Sequence, residues 1–86
     1  MTTTLMIDVL GWAGAVCLLT AYFQVSAGRW QGHTRGYQAL NIAGSLLFIL
    51  NSGYHGAYPS VFVNVIWAGI ALFTLARARG APAGEK

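Results

Sequence analysis

Leu5-Met-Ile-Asp-Val-Leu-Gly-Trp-Ala-Gly-Ala-Val-Cys-Leu-Leu-Thr-Ala-Tyr-Phe-Gln-Val-Ser26 is the stretch on which the fold turns. After Asp8 it carries no charged side chain, and none follows until Arg29. A helix needs roughly 20 apolar residues to cross a bilayer core of ~30 Å, and this stretch supplies them. A second uncharged run extends from Gly36 to Ala76. Ser52, Gly53 and Gly56 interrupt it with turn chemistry, which divides it into two helices. Spans are therefore expected at about 5–26, 37–54 and 59–76. Pro59 suits the first turn of the third, where its missing N–H costs nothing. Gly28, Gly32 and Gly36 mark the first connection. Residues 1–79 form a single three-helix membrane domain on this reading, and 80–86 a flexible cytoplasmic tail.

Composition argues the same way. Charged residues make up 8% of the 86 and hydrophobic ones 56%, against ~25% charged residues in soluble domains. A chain this short needs a charged surface to stay dispersed in water. The net charge of +3 does not indicate nucleic acid, because the basic residues only flank the apolar spans and build no basic face with stacking aromatics. Cys17 is the only cysteine, so an intrachain disulfide is excluded, and the residue reads as inert packing.

Basic residues near span ends set orientation. Arg29 and Arg35 lie in the first connection, and Arg77 and Arg79 follow the third span. The N-terminal segment and the second connection have neither Lys nor Arg. With three spans all four arginines fall on one side. The expectation is a multi-pass protein of a bacterial inner membrane, with its N-terminus outside and its C-terminus cytoplasmic. Asp8 then belongs to the outer first turn of helix 1, where a carboxylate complements the helix dipole. A cleavable signal peptide is disfavoured: Val25-Ser-Ala27 could be cut, but the apolar stretch is long for a signal and no basic segment precedes it.

Polar residues within spans are costly in lipid and therefore informative. Thr20 and Gln24 share a face of helix 1, Asn41 and Ser45 a face of helix 2, and Asn64 lies well inside helix 3 with Trp67 on its face. The candidate solute-binding residues are Asn64, Asn41, Asn51 and Trp67. The bland alternative makes the asparagines interhelical glue and Trp67 packing. His55 and His33 read as ordinary loop residues. Tyr54, Tyr58 and Trp12 suit an outer aromatic belt, and Trp30 and Tyr37 an inner one. Gly11 with Ala15, Ala39 with Ala43, and Ala68 near Gly69 could serve close helix packing. No paired carboxylates, no nucleophile beside a base and no metal-ligand spacing occur, so neither an enzyme nor a metal or cofactor protein is expected.

Three helices cannot enclose a path for a hydrated solute, so a transporter built from this chain has to be a dimer. Helix 1 opens Ile7-Asp-Val-Leu-Gly-Trp-Ala-Gly14 and later has Tyr22-Phe-Gln24. Helix 3 opens Pro59-Ser-Val-Phe-Val-Asn64. With an outside N-terminus and a basic first connection, these features resemble the SemiSWEET sugar transporters of the PQ-loop superfamily over roughly residues 7–76. Phe23 stands where that family has a proline thought to act as a hinge. The motifs Tyr37-Gln-Ala-Leu-Asn41, Asn51-Ser-Gly-Tyr-His-Gly56 and Asn64-Val-Ile-Trp67 resemble small permease-like bacterial membrane proteins. The resemblance implies an all-α, three-transmembrane-helix bundle acting as a half-transporter unit, with Tyr22, Phe23 and Gln24 at the inner gate or hinge. The expected function is a homodimeric facilitator for a small neutral polar solute, the resemblance pointing to a sugar. A non-transporting accessory or assembly subunit of a larger membrane complex is the alternative.

Overall fold

A computed structural model describes the backbone of residues 2–79 and the side chains of residues 2–77. The tail expected from Gly80 onward lies outside the described residues. Three helices form, as the sequence predicts: α1 Thr3–Ser26, α2 Arg35–Tyr54 and α3 Tyr58–Arg79. The Thr2 hydroxyl accepts a hydrogen bond from the Leu5 amide at 3.1 Å and so caps α1; an orphan N–H of the first turn is thereby satisfied. Gly28 ends the helix with φ +79°. This left-handed residue lets the Gly28 amide reach the Val25 carbonyl and the Arg29 amide reach that of Gln24, closing carbonyls that the helix leaves unpaired.

The connection from α1 to α2 is folded on itself. The Gln38 side-chain Nε2 donates to the Gly32 carbonyl, and the Thr34 hydroxyl accepts from the Gln31 backbone amide at 2.9 Å. The Trp30 ring lies over Gly36, so close that a Cβ there would meet it at 3.0 Å. The second connection is only residues 55–57, with Gly56 left-handed at φ +73°.

α2 is the centre of the molecule. It packs against both neighbours, whereas no Cα of α1 comes within 8 Å of a Cα of α3. The sequence reading pictures a three-helix bundle with an interior filled by side chains. The observed arrangement is open, with α1 and α3 each laid on α2. α1 and α2 approach most closely at Gly14 and Gly44: a Cβ on Gly14 would sit 3.0 Å from the Gly44 carbonyl, and one on Gly44 would sit 2.7 Å from Leu18. Small residues at a crossing let backbones come together, which is how helices pack where lipid removes the hydrophobic drive. Of the small residues expected to serve packing, Gly11 and Ala68 are buried, while Ala39, Ala43 and Gly69 face outward.

Burial is inverted relative to a water-soluble domain. The buried side chains are small or polar: Ala21, Ala68, Ala71, Gln38, Asn41, Ser45 and Ser52. The large apolar ones face out, with Trp12 75%, Tyr22 68%, Leu19 67% and Phe62 66% exposed. Water would charge ~25 cal/mol for every Å² of such surface. α1 and α3 are long and apolar enough to cross a membrane, and little of either is buried in the protein. α2 falls short of that standard of composition, where the sequence reading has a third span. Gln38, Asn41, Ser45, Asn51 and Ser52 dilute it, and four of the five are buried against its neighbours.

Candidate functional site

The helices alternate in direction, so Arg29, Arg35 and Arg77 come to one end of the molecule and Asp8 and His55 to the other. Among the described residues, two clefts lie along α2, one toward each end. The larger, about 290 Å³, lies between α1 and α2 and is lined by Asp8, Gly11, Trp12, Ala15, Phe48 and Asn51. The smaller, about 160 Å³, lies between α2 and α3 and is lined by Tyr37, Gln38, Asn41, Trp67, Ile70 and Ala71. Asn41 and Asn51 are ~15 Å apart along the helix axis at ~1.5 Å per residue.

Asn51 is held by backbone. Its Nδ2 donates to the Ile7 carbonyl at 3.0 Å. Gly11 makes this possible, since a Cβ there would stand 2.6 Å from the same nitrogen. Asn41 and Trp67 meet in the smaller cleft, the indole Nε1–H donating to the Asn41 Oδ1 at 3.4 Å. Asn64 lines neither cleft. Its Nδ2 turns back along α3 to the Ser60 carbonyl at 2.9 Å and the Ser60 hydroxyl at 3.3 Å. Ser60 in turn is paired with the Ser52 hydroxyl at 2.8 Å, so Ser52, Ser60 and Asn64 form one polar seam between α2 and α3. One residue on α2 is unsatisfied: the Ser45 hydroxyl is fully buried with no hydrogen-bond partner.

The candidate binding residues are thus divided. Asn41 and Trp67 come together, Asn51 stands in the other cleft, and Asn64 joins the serine seam. Tyr22 and Phe23 are exposed on α1. Gln24 accepts from Arg29 Nη1 at 3.3 Å, and the Arg29 guanidinium sits 5.8 Å from the centre of the Phe23 ring. Tyr22, Phe23 and Gln24 line neither of the two clefts described.

Asp8 differs from its expected role. Because α1 begins at Thr3, Asp8 falls in the second turn, and the first turn has no acidic residue. The helix dipole acts mainly on its first turn. Asp8 instead reaches across to α2's end, where His55 Nε2 lies 2.9 Å from its Oδ1. The Tyr54 and Thr4 hydroxyls meet beside it at 2.9 Å, and the Tyr54 and His55 rings pack edge to face. His55, read from sequence as a plain loop residue, therefore joins α1 to α2. Gln38 was also passed over as a cleft residue, although its position three before Asn41 puts both on one helical face. Among the described residues, no group of His, Cys, Asp or Glu is arranged to hold a metal ion.

Fold and site together define an all-helical protein with two helices fit to cross a membrane and an amide-lined cleft where each of them meets a polar central helix. A family model matches residues 7–81, and the chain belongs to that family, which is uncharacterised. No curated protein and no solved structure matches the chain. Nothing in these comparisons links it to the SemiSWEET or PQ-loop proteins.

Proposed function

We propose that the protein is an integral membrane protein whose three helices all span the bilayer, and that two copies together pass a small neutral polar solute. The observation that carries this reading is the pair of clefts, one near each end of α2, the outer closed by α1 and the inner by α3, each offering an amide. Asn51 would receive the solute on the outer side and Asn41 with Gln38 on the inner side, with Asn64 and the unsatisfied Ser45 hydroxyl at levels between. Neutral hydrogen-bonding groups suit a solute with hydroxyls or amides. No carboxylate lies along α2 to relay protons, which favours facilitated diffusion over proton-coupled pumping. The orientation follows the arginines, which put the Arg29 end in the cytoplasm.

The second copy covers α2. Ala39, Ala43, Leu46, Leu50 and Gly53 are exposed at alternating spacings of four and three, the seam of two helices packed side by side. A two-fold axis normal to the membrane would set the two α2 helices parallel, and rocking about that seam would open the clefts in turn.

A second reading, an accessory subunit of a larger complex, is favoured by one observation: Asn41 and Asn51 already spend hydrogen bonds tying helices together. The test is uptake of labelled sugars into proteoliposomes, with native mass measured in lipid discs. The transporter reading expects a dimer and uptake that Asn41→Leu abolishes while the dimer persists. A monomer without uptake, or co-purification in a heteromeric assembly, would overturn it.

A further inference from the structure

The larger cleft has a chemistry that neutral-solute passage does not use. Asp8 is the only carboxylate among the described residues, and it lines this cleft beside Asn51, Trp12 and Phe48. Its Oδ1 is taken by His55, but its Oδ2 accepts no hydrogen bond from any described residue. Asn51 commits its Nδ2 to the Ile7 carbonyl, which leaves its Oδ1 as the group with capacity to spare. The cleft thus presents two oxygen acceptors and two aromatic rings. Aromatic faces attract cations through the ring quadrupole, and a carboxylate with an amide oxygen accepts from an N–H-rich cation.

The surrounding field agrees. Asn51 is in the last turn of α2, where the helix dipole presents its negative end. The N-terminus of α1 acts the other way, but its influence fades within the first turn, and Thr2 already caps it. The described arginines lie at the far end: at ~1.5 Å per residue, Asp8 and Ser26 are ~27 Å apart along α1. Only His55 competes for the carboxylate. A volume of about 290 Å³ is at the low end for ligand pockets, which begin near ~300 Å³, so the occupant is small.

From this geometry we infer that the cleft between α1 and α2 is a binding site for a primary ammonium group, held by Asp8 and Asn51 against Trp12 and Phe48. The ammonium belongs either to a dissolved amine or to the ethanolamine headgroup of a neighbouring lipid. It would occupy the outer cleft in competition with the neutral solute that the proposed function brings to Asn51, and the site stands whether or not the chain conducts.

The test is equilibrium binding of butylammonium to the full chain in phosphatidylglycerol discs at fixed ionic strength, followed by the chemical shift of the Trp12 indole N–H. Saturable binding is expected, at least tenfold tighter than that of uncharged butanol. Asp8→Asn should weaken it at least tenfold. His55→Ala breaks the same cross-helix pair but keeps the carboxylate, so it should retain or tighten binding. Equal binding of butanol would overturn the proposal, as would equal losses in Asp8→Asn and His55→Ala, because the pair would then matter only structurally. Replacing part of the lipid with phosphatidylethanolamine identifies the source. Weakened butylammonium binding supports the lipid headgroup as resident, and unchanged binding supports a dissolved amine.

Discussion

At the scale of single residues, this protein depends on positions where a side chain is missing. Gly44 and Gly14 let α1 and α2 meet, and an added methyl in such a crossing costs about 1–3 kcal/mol through strain. Gly44→Ala should therefore lower stability by that order, read as a reduced midpoint of helix loss in a mild detergent. Gly11→Ala should act more specifically, because the new Cβ displaces the Asn51 amide from the Ile7 carbonyl. Hydrogen bonds between membrane helices are worth ~0.6–2 kcal/mol. A double-mutant cycle of Gly11→Ala with Asn51→Leu should show less than additive loss, and full additivity would mean that the two residues act independently. His55→Ala should cost under ~1 kcal/mol, since its pair with Asp8 is nearly half exposed to solvent and such pairs are weak.

Among the elements, α2 bears the conflict between solvent and sequence. It is the least apolar of the three helices, yet it lies between the other two and turns Gln38, Asn41, Ser45 and Ser52 into them. In the proposed three-span protein, burial against protein would let a helix of this composition lie at membrane depth, since polar groups facing lipid would go unsatisfied. α2 alone should therefore insert poorly and should do so stably only beside α1 or α3. A glycosylation-mapped insertion assay of α2 alone and of the whole chain would check this, and efficient insertion of α2 alone would contradict it. At the end of α1, Gly28→Ala forces a Cβ into a left-handed conformation at a cost of ~1–2 kcal/mol. The expected outcome is a frayed last turn, seen as faster amide exchange at Ala27 and Arg29, whose amides close onto the Phe23 and Gln24 carbonyls.

For the whole molecule the governing fact is the exposed apolar surface of α1 and α3 together with the exposed seam on α2. In the proposed dimer, Ala43→Cys in a Cys17→Ser background should crosslink efficiently between copies under mild oxidation in lipid discs. Thr20→Cys on the exposed face of α1 should crosslink far less. Equal crosslinking at both positions would place the contact elsewhere.

The sequence by itself determined the helices, their approximate ends and the segregation of charge. These are local properties: apolar run length, turn residues such as Gly28 and Gly56, and the flanking arginines act within a few residues of where they stand. The class of candidate residue was legible too, because an amide in an apolar span stands out. Which partner each amide takes was decided only by the tertiary structure. Asn51 meets Ile7, His55 meets Asp8 and Trp67 meets Asn41 across long separations in the chain. Those meetings depend on where α1 and α3 cross α2, and the crossing of α1 is set by close approach at Gly11, Gly14 and Gly44. A glycine announces that an approach is possible but not which helix will make it, so the division of the asparagines between two clefts and a serine seam emerged only from the packed molecule.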